Sequence, residues 1–281
     1  MPLICFASPK GGVGKTTLAA NVGGELTRAG YRVVAMDLDP QNSLRIHFGD
    51  PLQDTSFYAA GLVRRGSWRD SLRRTPSGVD LLPYGQTDHA AALALGAALA
   101  DDPALIAGPL DDMLIDPAIA VVVDTAPGPS AALSAVLPLT DLLVTVLLGD
   151  PTSISLIPMI ESGRAYGRAT VSALGRAPGS ASAERHGFVL NQVDLRTRLG
   201  PPLASAASRH LGNRLLGVVH RDENVGEAVA AQRLVAEYLP GSRAAQDIKV
   251  VARVIAARLA SGNNIAFAPA PRVTRQAQAV S

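Results

Sequence analysis

The chain contains a single cysteine, Cys5, among 281 residues. That excludes an internal disulfide and a thiolate metal cage, and it fits a reducing cytosol. Net charge is only +2, too little to imply nucleic acid or an anionic membrane as a partner without a local patch. No stretch reaches the roughly 18 uninterrupted apolar residues of a membrane-spanning helix. The longest runs, 118–123 and 142–148, have the length of buried parallel strands. A signal peptide is not expected, because a glycine-rich loop begins before a long apolar segment can form. The histidines (47, 89, 186, 210 and 220) show no metal-ligand spacing. What the chain has in quantity is apolar residue: 47% hydrophobic against 18% charged, enough for a large core and against global disorder.

Short apolar runs alternate with helical spacing along most of the length. Strands are expected at 3–7, 31–36, 79–82, 118–124, 142–148, 187–191 and 214–219. Helices are expected at 14–29, 56–64, 68–74, 89–99, 103–115, 130–137, 153–172, 201–211, 224–231 and 242–260. In the first helix Leu18, Val22 and Leu26 recur every four residues and Gly30 ends the run. Ser67, with Asp70 three residues on, resembles a capping box. The alternation predicts an α/β fold in three αβα layers around a mostly parallel sheet. There is no internal repeat and no shift in composition, so one domain is expected over 1–261. The Gly/Ser/Ala-rich 175–185 is expected to be a flexible loop and the polar 262–281 a disordered tail.

The chemistry starts at residues 9–17, Pro-Lys-Gly-Gly-Val-Gly-Lys-Thr-Thr. A glycine-rich loop between a strand and a helix aims backbone N–H groups at an anion, and the helix N-terminus adds partial positive charge. Gly14-Lys15-Thr16 matches the end of the P-loop pattern G-x-x-x-x-G-K-[ST], with Lys15 as the lysine that grips phosphates. The place of its first glycine is held by Pro9. Two strands end in acids. Asp37 and Asp39 close the second strand, two apart and so on one side of it. Asp124 closes the apolar run 121–123, a Walker B pattern.

The run Lys10-Gly11-Gly12-Val13-Gly14-Lys15-Thr16-Thr17 resembles the deviant Walker A motif of the ParA/MinD superfamily of ATPases, and that resemblance spans nearly the whole chain. It implies a P-loop NTPase fold that binds ATP and Mg²⁺. Gly11, Gly12, Val13 and Gly14 would cradle the phosphates and Lys15 would hold the β- and γ-phosphates. Thr16 would ligate Mg²⁺, and Thr17 would hydrogen-bond the α-phosphate. Asp37 and Asp124 would support the metal, Asp39 would position the attacking water, and 125–128 would sense the γ-phosphate. Asn191 would read adenine, with Gln192 and Val193 lining its pocket. Arg221 and Asp222 would belong to a later loop closing over the base, where His220 replaces a proline usual in the family. The resemblance also explains a second lysine: two protomers would meet face to face around two nucleotides, with Lys10 reaching the partner's ATP. Arginine fingers of this kind are worth roughly 10³–10⁵ in rate; a lysine supplies a point charge without the fork.

The middle of the chain is more particular. Trp68-Arg69-Asp70 and Leu81-Leu82-Pro83-Tyr84-Gly85-Gln86 resemble the corresponding stretch of the BcsQ family, MinD-like ATPases encoded with bacterial cellulose synthase. This implies a slow, dimer-dependent ATPase in the cytoplasm, peripheral to the inner membrane through cellulose-secretion partners. The alternative is a ParA-type partition ATPase binding nonspecific DNA. A membrane-switch tail is not expected: Ile248, Val251, Ile255 and Leu259 form one stripe that suits core packing, with few cations beside it. Cys5 alone cannot supply the cluster ligands of an iron–sulfur relative, and 262–281 lacks the tyrosine cluster of a kinase relative. Arginines 64, 65, 69, 73 and 74 form a basic stretch, read either as a solvated helix face or as a docking surface for an acidic partner.

Overall fold

The computed structural model describes residues 2–51, 58–63, 66–116, 118–166 and 185–262. Within them one eight-stranded sheet runs through the molecule. Its strands are β1 (Leu3–Ala7), β2 (Arg32–Leu38), β3 (Arg73–Arg74), β4 (Asp80–Leu82), β5 (Ile119–Thr125), β6 (Leu142–Leu148), β7 (His186–Val193) and β8 (Leu215–His220). The order is β3-β4-β2-β5-β1-β6-β7-β8. Every pairing is parallel except β3 with β4, which is antiparallel at the edge.

The strand residues alternate between two apolar layers, as a two-sided sheet demands. On one face Leu3, Cys5, Val34, Met36, Val121, Val123, Leu143 and Leu190 pack under α3 (His89–Asp101), α4 (Ala104–Leu114), α5 (Ala131–Val136), α7 (Ile157–Glu161) and α8 (Gly200–Leu211). On the other, Ile4, Phe6, Val33, Ala35, Val122, Val144, Val146 and Val189 pack under α1 (Lys15–Arg28), α9 (Asn224–Ala230), α10 (Val235–Tyr238) and α11 (Arg243–Gly262). The α2 helix spans Tyr58–Val63 and α6 spans Pro151–Ile154. The expected three-layer αβα fold is present. Ile248, Val251, Ile255 and Leu259 are all buried in the core, so the stripe on α11 faces the sheet. Among the described residues no single helix is long and apolar enough to cross a membrane.

The structure corrects several local expectations. The segment 68–74 is a single 3-10 turn, Trp68–Ser71, followed by β3. Ser67 Oγ accepts from Arg69 N–H at 3.3 Å, so the turn is too short for a capping box with Asp70. The continuous helix over 153–172 is broken: α6 ends at Ile154 and α7 begins at Ile157, with Pro158 in its first turn, where the missing N–H is tolerated. The remainder of that helix beyond 166, the loop 175–184, the tail 263–281, Arg64 and Arg65 lie outside the described residues. The rest of the basic stretch is internally paired. Arg69 is on Asp112, Arg73 Nη1 lies 2.6 Å from Asp50, and Arg74 Nε lies 3.0 Å from Asp80. A short 3-10 helix, Leu44–Phe48, and α10 went unanticipated.

Candidate nucleotide site

β1 lies between β5 and β6, so the connections from its carboxyl end diverge there and leave a crevice. The loop from β1 to α1 crosses that crevice. Gly12 and Gly14 have φ of 74° and 81°, a conformation that costs glycine nothing. A side chain on Gly14 would also collide: its Cβ would lie 2.4 Å from Asn191 Nδ2. α1 then begins on Gly14 with no side-chain cap and no acid in its first turn. Its leading N–H groups are left for an outside acceptor.

Lys15 opens α1 and turns inward. Its Nζ is 2.6 Å from Asp124 Oδ1 and 3.9 Å from Asp39 Oδ2. Sequence spacing anticipated all three, and the parallel register brings them together: Phe6 pairs with Asp124, and Asp37 with Asp124. The Thr16 side chain lies close enough to Asp124 to lower its pKa. Asp124 is fully buried and its Oδ2 has no hydrogen-bond partner among the described residues. Burial raises its pKa, and the ammonium of Lys15 pulls it back down.

Asp37 takes up a different position from that of an open metal ligand. Its Oδ1 accepts from Asp39 N–H at 2.9 Å and its Oδ2 from Leu44 N–H at 3.0 Å. It therefore holds the loop that carries Asp39. Burial first, and the neighbouring Asp124 second, push its pKa well above the usual carboxylate range. Asp39 Oδ1 accepts from Gln41 N–H at 3.0 Å. Among the described residues no group of three His, Cys, Asp or Glu side chains is placed to hold a metal unaided. The donor set nevertheless fits Mg²⁺, which takes oxygen from one or two protein groups and completes its shell with phosphate and water. The orphaned Asp124 Oδ2 and the Thr16 hydroxyl are such oxygens.

Beside the loop is a cavity of about 320 Å³. Gly14, Thr17, Asn191, Gln192 and Arg221 all line it, so the phosphate loop and the expected base-reading residues meet in one place. Asn191 Nδ2 donates to Val13 O at 2.8 Å, which ties the end of β7 to the phosphate loop. Gln192 has φ 54° at the bulge where β7 leaves its register with β8. Arg221 is exposed and its Nε is 3.3 Å from Glu223. The 125–128 segment lies against the other side of the loop: Gly128 N–H donates to Ser8 O at 2.8 Å, and Thr125 Oγ1 to Phe6 O at 2.9 Å. Lys10 is half-buried.

Sequence reading missed Ser8 and Asp247. Ser8 Oγ donates to Lys10 O at 2.8 Å. Asp247 Oδ2 accepts from His220 N–H at 3.0 Å and pairs with His220 Nδ1 at 2.7 Å; the loop after β8 is thus fixed to α11. Nothing local marks Asp247, which is 27 residues from its partner.

A phosphate loop at a parallel-sheet switch point, with a base-sized cavity next to it, defines a P-loop nucleotide-binding protein. The chain belongs to the CobQ/CobB/MinD/ParA nucleotide binding domain family, whose model matches residues 4–235. It is 26% identical over 253 residues to the cellulose biosynthesis protein BcsQ of Salmonella typhimurium, covering 90% of this chain and 93% of that one. It is likewise 26% identical to the chromosome-partitioning ATPase Soj of Thermus thermophilus, covering 91% of this chain and 96% of that one. In fold it is similar to the septum site-determining protein MinD of Pyrococcus horikoshii, solved with Mg-ADP, with a TM-score of 0.71 at 20% identity over 94% of this chain and 99% of that one.

Proposed function

We propose that this protein is a Mg²⁺-ATP-dependent dimerising switch that hydrolyses ATP slowly, accessory to bacterial cellulose synthesis and secretion. One observation carries the nucleotide chemistry: Lys15 stands at the uncapped start of α1, held on Asp124 and near Asp39, beside a cavity lined by Asn191. Without nucleotide, the two acids neutralise the lysine. Breaking such a buried pair without replacement leaves a costly unpaired charge, so the incoming ligand must be an anion that meets Lys15. A polyphosphate does so, and its chain also reaches the free N–H groups of α1. Thr16 and Asp124 would hold Mg²⁺, which would offset charge on the phosphates, while Asp37 keeps the Asp39 loop in place. Asp39, at the mouth, accepts a hydrogen bond from the attacking water and orients it. The Asn191 amide and Gln192 face the base, with Arg221 at the rim.

In this reading each Lys10 neutralises charge on the nucleotide of a second protomer, so that hydrolysis requires the dimer. The ATP and ADP states then offer different surfaces to partners at the cytoplasmic side of the inner membrane. The cellulose role is supported by likeness to BcsQ over nearly the whole chain and by the Trp68–Asp70 and Leu81–Gln86 stretches. The equal identity to Soj keeps a second reading, partition with nonspecific DNA binding, and that reading requires DNA affinity falling steeply with salt. Titration with a fluorescent ATP analogue, followed by phosphate release, tests the site. Lys15→Ala is expected to abolish binding. Asp39→Ala is expected to bind normally but hydrolyse about 10²-fold or more slowly. Wild-type hydrolysis by Asp39→Ala would remove its role.

A further inference from the structure

A second cavity, of about 390 Å³, opens between the last turn of α1 and the middle of α11. It is far from the phosphates: α1 has 14 residues, so its last turn is about 20 Å from its first. Its apolar lining is Leu26, Ala29, Ala252 and Ala256, with Leu26 and Ala252 buried at the bottom. Lys249 and Arg253 stand on the rim, four residues apart on one face of α11, and both are exposed. The Glu25–Arg28 ion pair and Tyr31 also line the cavity, so the excess charge around it is positive. Neither has an ion pair or hydrogen bond among the described residues. That sets them apart from their neighbours: Arg28 is paired with Glu25 and Glu237, Arg32 with Asp116, and Arg243 with Asp247.

We propose that this groove docks an acidic amphipathic helix of a protein partner. The charge of the rim selects an anionic ligand, and the alanine floor selects one with an apolar face. Two helices with small residues between them leave room for a third to approach closely, the helix-in-groove mode of recognition. The chain's own residues 263–281 are unsuited, because they contain Arg272 and Arg275 and no acid. Duplex DNA would contact the cations but leave the apolar recess unfilled. A membrane needs bulky apolar side chains standing proud of the surface, whereas the aliphatic lining here is one buried leucine and three alanines. The groove shares both walls with the nucleoside cavity. α1 lends Thr17 and Leu18 to one and Leu26 to the other, and α11 lends Ile248 and then Lys249. A helix seated here therefore touches the elements that frame the nucleotide site, although the proposal itself does not rest on ATP chemistry.

The test is selection from a displayed library of helical peptides of about five turns on the full chain, with counter-selection on the Lys249→Glu/Arg253→Glu variant. The selected sequences are expected to carry Asp or Glu beside apolar residues spaced three and four apart. Fluorescence anisotropy should then show binding weakened about tenfold or more in the double variant. Ala252→Trp, which fills the floor, should block binding in the same way. Peptides without acids, equal affinity for the double variant, or no enrichment would overturn the proposal. So would phosphatidylglycerol vesicles or duplex DNA binding through the two cations in the absence of any selected peptide. A dimer lost in the double variant by light scattering would assign the groove to a second copy and overturn it too.

Discussion

At the residue scale, the buried polar groups are not equivalent. Asp37, Lys15 and one oxygen of Asp124 answer one another or backbone N–H groups, whereas His47 is 4% exposed and its Nδ1 has no partner among the described residues. Burial lowers its pKa from 6.5 to about 4. The folded state thus disfavours the proton that the unfolded chain accepts. The stability this gives is whole above pH 6.5 and is lost as pH falls toward 4, by about 3 kcal/mol. Asp37, with its raised pKa, works in the opposite direction and is common to both proteins in the comparison. Urea unfolding between pH 7 and pH 4 should therefore show a flatter decline for His47→Leu than for wild type. Parallel declines would refute the assignment. Lys15, Asp39, Asp124 and Asn191 were legible in the sequence because each ends a strand or begins a helix. His47 was not, since its burial comes from the 3-10 turn packing against α1 rather than from any local pattern.

At the scale of elements, strands and long helices followed the periodicity of apolar residues closely, and the departures lie where tertiary contacts overrule it. β3 is two residues of an arginine-rich segment, drawn into the sheet by pairing Arg73 with Leu81 and Arg74 with Asp80. Close packing of α11 on β8 depends on Gly217, where an added Cβ would lie 2.7 Å from Val251 Cγ2. Gly217→Val should destabilise the fold by about 1–3 kcal/mol through overpacking. Gly96, inside α3 with open space around its Cα, makes the opposite case. Gly96→Ala should stabilise by about 0.5–1 kcal/mol through backbone entropy. Calorimetric melting of the two variants checks both signs, and shifts in the same direction would contradict this account of the packing.

At the scale of the whole molecule, the phosphate loop, Lys10 and the 125–128 segment stand together at the carboxyl ends of the central strands. A face-to-face pair of protomers would bury this surface. Light scattering is expected to give a dimer in ATP and a monomer in ADP, with Lys10→Ala monomeric in both. A mass indifferent to nucleotide and to Lys10 would leave a constitutive nucleotide-binding scaffold in place of the switch.

The sequence alone determined the α/β alternation, the phosphate loop and the acids at strand ends, because each is written in local spacing: a period of two or about 3.6, or a run of glycines before a lysine. Tertiary structure decided what contact across the sheet decides. It placed Asn191 on the phosphate loop from 178 residues away and gave Asp37 to the backbone of its own loop. It set Asp247 under His220, paired off the described arginines of the 64–74 stretch, and left Lys249 and Arg253 without partners among the described residues. Local spacing states which residue types are near in the chain. Only the register of the sheet and the packing of α1 against α11 state which charges are near in space.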